Sequence, residues 1–353
     1  MPINKRIRVL VVDDSPLFRA VLAKGIASDP DIEIVAAASD PFDARDRIIE
    51  HEPDVMTCDV EMPKMNGIEF IRRLMPQYPI PVVVVSSVSD AVFGAMEAGA
   101  VDFVVKPDMS LVRDMEIFIN ELIRKIKIAS VVNRNQLGKN GALHNAAGQV
   151  RTEQKNTYSA GRIEKSSRVI AIGASTGGTE AISKIMGSLP PDLPGIVIVQ
   201  HIPPVFSRIF AERLNKSSRL QINEARDGDC LENGRVLIAP GDAHMRLRKS
   251  GGRYRVEVFR GEKVNGHCPS VDVLFESVAV ECGADAVGII LTGMGYDGAK
   301  GLLSMRKNGA RTIGQDESSC IVYGMPKVAY NIGAVEKQAS LDKIPQVLQS
   351  LLR

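Results

Sequence analysis

Tryptophan is absent from the 353-residue chain, and aromatic residues make up only 5% of it. An excess of charge of either sign is absent too: 44 Lys and Arg stand against 42 Asp and Glu, a formal net charge of +2. That near-balance supplies no basic footprint for nucleic acid and no cationic face for an anionic membrane, so neither partner is expected. The five cysteines, Cys58, Cys230, Cys268, Cys282 and Cys320, form no CxxC pair. Such spacing argues against a metal site or a disulfide framework and for free, mostly buried thiols. No apolar run approaches the roughly 20 residues that cross a bilayer. The charged segment Met1–Arg8 leads straight into a strand-like stretch, without the apolar core of a signal peptide. A cytoplasmic protein without membrane insertion is expected.

What is present is ordinary globular material, 44% apolar and 24% charged, in a chain long enough for two domains. From Arg8 to about Ile126, short apolar runs (Val9–Val12, Ile32–Ala37, Val55–Cys58, Val82–Val85, Phe103–Val105) alternate with amphipathic stretches such as Pro16–Ala27 and Pro41–Glu50. Five such alternations predict a flavodoxin-like α/β domain over residues 1–126, with a five-stranded parallel sheet. Residues 127–166 then turn polar and lose periodicity, as a flexible linker does. Strand-like runs return at Val169–Ile172, Ile196–Gln200, Val236–Ala239, Arg255–Phe259 and Val287–Leu291, predicting a second doubly wound α/β domain over 167–353.

In the first domain Asp13 and Asp14 follow the strand Val9–Val12, and Asp59 follows Val55–Cys58. Strand carboxyl ends of a parallel sheet open into one crevice. Three carboxylates gathered there repel one another unless a hard divalent cation neutralises them, and an all-oxygen donor set suits Mg²⁺. A carboxylate in that setting is also a nucleophile toward a phosphoryl group. Ser86 and Lys106, at the ends of two further strands, would hold phosphoryl oxygens by charge-assisted hydrogen bonds. Helix capping explains Asp13 or Asp14 alone about as well. It does not explain Asp, Asp, Asp, Ser and Lys all at strand ends of one sheet.

The second domain opens with a strand running into Gly173-Ala174-Ser175-Thr176-Gly177-Gly178. A serine on such a strand-to-helix bend exposes its hydroxyl, and the following amide can face an oxyanion. A helix-capping serine or a phosphate-cradling loop are the plainer readings, but GxGxxG and the Walker lysine are both missing. A serine nucleophile needs a base, usually histidine, oriented by a carboxylate. Of five histidines, His51 falls in the first domain and His144 in the linker. His201 directly follows the strand Ile196–Gln200 and is best placed; His244 is second, and His267 lies in a later loop. For the acid, Asp297 follows the strand Val287–Leu291 in a glycine-rich turn, with Asp242 and Asp272 as rivals.

The motifs resemble two known families. VVDDSP, DVEMPKMNG, VSS and FVVKP are similar in order and spacing to the receiver domain of bacterial response regulators. That resemblance implies Asp59 as phosphoacceptor, Mg²⁺ held by Asp13, Asp14, Asp59 and the backbone carbonyl of Glu61, and Lys106 on the phosphoryl group. It further implies switch positions at Ser86 and Phe103 and a histidine kinase as phosphodonor. Val88–Phe93 looks short and irregular for the fourth receiver helix. Downstream, AIGASTGGTEA, VQHIPP, IAPGDAHM, GHCPSVDVLFES, LTGMGYDGAKG and YGMPKVA resemble the chemotaxis protein-glutamate methylesterases, the CheB family.

This second resemblance implies a hydrolase that demethylates glutamate methyl esters on chemoreceptors, releasing methanol; some members also deamidate receptor glutamines. It implies Ser175 as nucleophile, His201 as base and Asp297 as orienter. The backbone amides of Thr176 and Met294 take the oxyanion positions, and no cofactor is needed for the ester chemistry. It also implies that the unphosphorylated receiver hinders substrate access. A receiver-controlled binding module without hydrolase activity is the alternative.

Overall fold

The computed structural model of the protein describes residues 5–87, 89–107, 112–134, 137 and 168–352. The chain divides into two compact units, Met1–Thr152 and Glu153–Arg353. Most of the segment expected as a linker, His144 included, lies outside the described residues.

The first unit alternates β1 (Ile7–Val12), α1 (Pro16–Ile26), β2 (Ile32–Ala38), α2 (Pro41–His51), β3 (Val55–Asp59), α3 (Gly67–Leu74), β4 (Val82–Ser86), α4 (Ser89–Glu97), β5 (Asp102–Val105) and α5 (Val112–Ser130). The helix starts are written in the sequence. Ser15 accepts from the Phe18 amide at 3.3 Å and Asp40 from the Phe42 amide at 2.9 Å, each followed by a proline at the first helical position. The strands form one parallel sheet in the order β2-β1-β3-β4-β5, the flavodoxin-like arrangement expected. β3 and β4 are buried at every position, and β4 accordingly reads as four successive valines before Ser86. Winding reverses between β1 and β3, so the crevice at their carboxyl ends is the natural site. One expectation is corrected here: a regular helix, α4, covers Ser89–Glu97, where an irregular segment was anticipated. Its composition, rich in Ala and Gly with few charges, hides the amphipathic period.

The second unit contains β6 (Val169–Ala174), α6 (Gly178–Ser188), β7 (Gly195–Gln200), α7 (Phe206–Ser217), β8 (Gln221–Glu224), β9 (Arg235–Ile238), β10 (His244–Ser250), β11 (Arg253–Phe259), α8 (Val271–Cys282), β12 (Ala286–Ile290), α9 (Ala299–Lys307), β13 (Arg311–Gln315), α10 (Met325–Asn331), β14 (Lys337–Ala339) and α11 (Ile344–Leu352). Seven strands make a parallel sheet in the order β14-β13-β12-β6-β7-β9-β8. The chain winds outward from β6 through β7, then returns to β12 on the other side, so the switch point lies between β6 and β12. The run at Arg255–Phe259 is not one of these strands: β11 pairs with β10 in a separate antiparallel hairpin. All five cysteines are free, with Cys58, Cys282 and Cys320 buried and Cys230 and Cys268 partly exposed. Among the described residues no helix is long and apolar enough to cross a membrane.

Candidate active site

β6 is buried throughout and ends at Ala174, so the chain delivers Ser175 to the sheet edge, where it is partly exposed. The bend is pinned from three directions. Ser175 donates its amide to the Thr292 carbonyl (3.0 Å), and its own carbonyl accepts from the Gly178 amide (2.7 Å) and from Gln200 Nε2 (2.9 Å). Gly177, at φ 76, makes the left-handed step that starts α6. Strand register brings His201 alongside. Ala174 pairs with Gln200, and the next residue, His201, donates its amide to the Ala174 carbonyl at 3.1 Å.

His201 Nε2 lies 2.9 Å from Asp297 Oδ2, and both side chains are almost fully buried. Nδ1 of the same ring is buried without a partner. Asp297 reaches His201 from the loop after β12, where Gly295 and Gly298 adopt φ values of 85 and 87. Its Oδ2 also accepts from the Val271 amide (2.7 Å), while Oδ1 accepts from Ser270 Oγ (2.8 Å), Asn265 Nδ2 (2.8 Å) and the Asp272 amide (3.3 Å). Two of these donors are the first amides of α8, where the helix favours negative charge. Burial pushes the Asp297 carboxyl up, but the His201 hydrogen bond and charge, with Asn265 and the Val271 amide, outweigh it and hold it well below the usual carboxylate range.

Of the two amides expected to face an oxyanion, Thr176 is buried and Met294 is exposed on the loop that crosses over Ser175. That loop is fixed at Gly293, whose carbonyl accepts from the amides of Gly324 (3.1 Å) and Met325 (2.8 Å).

In the first unit, Asp13 and Asp59 are buried and Asp14 is exposed, with carboxylate oxygens all within 4.8 Å of one another. Lys106 Nζ bridges Asp59 Oδ2 at 2.6 Å and Asp13 Oδ2 at 3.1 Å. Burial pushes the Asp13 carboxyl up; Lys106 opposes this and the Asp59 charge adds to it. Burial would lower the Lys106 ammonium, but the two carboxylates hold it above its usual range. Asp59 Oδ1 accepts from the Glu61 amide at 3.2 Å. Ser86 is buried at the end of β4, and its carbonyl accepts from the Lys106 amide at 3.0 Å. Phe103 is buried, with the Lys125 ammonium 4.9 Å above its ring. Asp13, Asp14, Asp59 and Lys106 therefore lie together in the first unit, as His201 and Asp297 do in the second.

Comparison with known proteins gives each unit a family. The CheB methylesterase family model matches residues 170–348, and the response regulator receiver domain model matches residues 9–115. The chain belongs to the CheB methylesterase family. It is 58% identical over 349 residues to protein-glutamate methylesterase/protein-glutamine glutaminase 2 of Syntrophomonas wolfei, covering 99% of this chain and 98% of that protein. It is 46% identical to the protein-glutamate methylesterase/protein-glutamine glutaminase of Salmonella typhimurium, covering 97% and 95%. The crystal structure of the Thermotoga maritima CheB methylesterase catalytic domain matches with a TM-score of 0.51 at 37% identity, over 52% of this chain and 98% of that one.

Within this CheB family member the rival residues have other partners. His244 begins β10, is buried, bonds the Glu262 carbonyl through Nε2 (2.9 Å) and accepts the Ser270 amide at Nδ1 (3.2 Å). Asp242 is exposed in a left-handed turn at φ 67. Asp272 is buried and accepts from the Gly301 amide and from Asn265 Nδ2, both at 2.7 Å, and burial pushes its carboxyl up. The carboxylate that His201 pairs with is that of Asp297. Three residues that strand-end reasoning missed, Gln200, Asn265 and Ser270, touch the triad-type residues, as does His267, which it ranked last among the candidate bases. Gln200 Nε2 donates to the carbonyls of both Ser175 (2.9 Å) and His201 (3.1 Å). It was adjacent to His201 in sequence but carried no signal beyond that.

Proposed function

We propose that this protein is a phosphorylation-regulated protein-glutamate methylesterase, in which Ser175 is the nucleophile, His201 the base and Asp297 the orienting acid. One observation carries the reading: His201 Nε2 lies 2.9 Å from the buried Asp297 carboxylate, which can only accept there, and Nδ1, buried and unpaired at the strand end next to Ser175, is the nitrogen left to take the serine proton. Ser175 Oγ attacks the ester carbonyl while Nδ1 accepts its proton, and the amides of Thr176 and Met294 face the oxyanion. The C–O bond to methoxide breaks as His201 returns the proton, and methanol leaves. Water, deprotonated by His201, then hydrolyses the acyl-serine to free glutamate and Ser175. The same steps on a glutamine side chain release ammonia, in keeping with the glutaminase named in the relatives. The substrates on this reading are methylated chemoreceptors, met at their cytoplasmic helices.

Control comes from the first unit. Asp59 is the phosphoacceptor and a histidine kinase the donor. Asp13, Asp14, Asp59 and the Glu61 carbonyl would hold Mg²⁺; the all-oxygen donor set within 4.8 Å fits a hard cation. When bound, that ion neutralises the carboxylates and the charge of the incoming phosphoryl group. Lys106, already on Asp59, and Ser86 take the phosphoryl oxygens, and Phe103 senses the change. The test is methanol release from methylated receptor membranes. Ser175→Ala should abolish it, and acetyl phosphate with Mg²⁺ should raise it in the native chain but not in Asp59→Asn. Persistent release from Ser175→Ala would overturn the esterase reading; an unchanged response in Asp59→Asn would overturn the control.

A further inference from the structure

One side chain beside the triad has no role in these steps. The His267 imidazole lies flat on that of His201, with ring centroids 3.7 Å apart and planes 10° from parallel. It comes from the irregular segment between β11 and α8, which grips the His201–Asp297 pair at three points. Asn265, at φ 53, and Ser270 each donate to Asp297 Oδ1 at 2.8 Å. Between them, reciprocal Val264–His267 backbone bonds of 3.0 and 2.9 Å close a tight turn, with Gly266 at φ 82, and present the His267 ring.

The hydrogen bond to Asp297 fixes His201 at one edge only. With Nδ1 unpaired, nothing polar stops the ring from tilting about that bond. A second ring in parallel contact removes the tilt. Its π-face, the negative side of the aromatic quadrupole, also suits the imidazolium that forms when His201 takes the serine proton.

We infer that His267 is a positioning residue for the base: its stacked ring holds the His201 plane so that Nδ1 stays aimed at the Ser175 hydroxyl. The inference rests on His201 being the base. It predicts that flatness and aromaticity at position 267 matter.

Steady-state methanol release and the rate at which a fluorophosphonate labels Ser175, both on the full chain, test this. His267→Leu keeps bulk without a π-face and should lower kcat and the labelling rate about 10- to 100-fold with little change in KM. His267→Phe should restore both to within about threefold of the native chain, since its ring keeps the stack. The inference is overturned if His267→Leu leaves kcat unchanged. It is equally overturned if that variant raises KM alone, or if His267→Phe is as slow as His267→Leu. Should His267→Leu fail to fold by circular dichroism, a slow but folded His267→Phe still refutes the inference and a native rate supports it. His201→Ala serves as control: if it keeps activity, the base assignment fails and His267 is not at fault.

Discussion

Gly293 lies so close over Ser175 that a β-carbon at position 293 would stand 2.7 Å from the Ser175 Cβ and 3.1 Å from its amide nitrogen. The loop after β12 thus rests directly on the bend after β6, and the absence of a side chain is what lets it. Such a β-carbon would also meet Met325 Sδ at 2.4 Å; that flexible tip can move, but the Ser175 backbone cannot. Gly293→Ala is therefore expected to destabilise the second unit by about 1–3 kcal/mol. It should cut esterase kcat by about 100-fold, because it displaces Ser175 relative to His201. Urea unfolding alongside kinetics checks both; a native kcat would show that the two loops do not share a position.

Gln200 should behave differently. Its Nε2 holds the Ser175 and His201 carbonyls together, and the residue is almost fully buried. Gln200→Leu removes this donor from both; the Ser175 carbonyl keeps the Gly178 amide, so the loss falls on the His201 carbonyl at a cost of about 1–3 kcal/mol. The expected result is a folded but less stable protein with reduced kcat and unchanged KM. A change in KM alone would place Gln200 at the substrate instead.

Asp297 allows a prediction about pH. Its carboxyl is held well below the ordinary carboxylate value, so the folded state favours the ionised form. A depressed carboxylate contributes stability that is present above its unfolded pKa, near 3.8, and lost as pH falls further toward the folded value. The Asp297→Asn protein should therefore lose less stability than the native chain on acidification below about pH 4. Its kcat should fall by about 10³- to 10⁴-fold, since an amide no longer fixes the His201 tautomer. Acid unfolding curves that run parallel for the two proteins would contradict this.

The parallel sheets explain why so much was legible beforehand. Asp13, Asp59, Ser86 and Lys106, like Ser175, His201 and Asp297, each follow a buried apolar run, and such runs end on one edge. The weak strands were not legible: β8 has a single buried residue, Ile222, and β14 only three residues. The hairpin does leave a trace in the sequence: in β10 Met245 and Leu247 are buried on alternate positions ahead of Gly251-Gly252. Asn265, His267 and Ser270 reach the site through tertiary packing of an irregular segment, for which no local period exists. His244 and Asp242 likewise differ from His201 and Asp297 in partners and exposure, which no local pattern shows.

The acidic cluster of the first unit yields the last prediction. Asp13 and Asp59 are buried within 4.8 Å of each other, with Lys106 as the ammonium shared between them. Burial and the Asp59 charge raise the Asp13 carboxyl despite Lys106. A raised carboxyl works in the opposite sense to Asp297: its contribution to stability is greatest at low pH and declines as pH rises past its ordinary value. At neutral pH without metal, the charge on Asp13 is thus a net liability. Asp13→Asn, which keeps an oxygen for the Ser15 amide now bonded at 2.9 Å, should raise the melting temperature of the first unit in EDTA by a few degrees. Mg²⁺ should reverse the ranking. At about a hundred times its dissociation constant a cation adds about 2.7 kcal/mol to a protein that binds it only when folded. The native chain should gain that and Asp13→Asn should gain little, along with losing phosphorylation by acetyl phosphate. Calorimetry with and without Mg²⁺ separates the cases: if the native melting temperature does not respond to Mg²⁺, the three carboxylates are not its ligands.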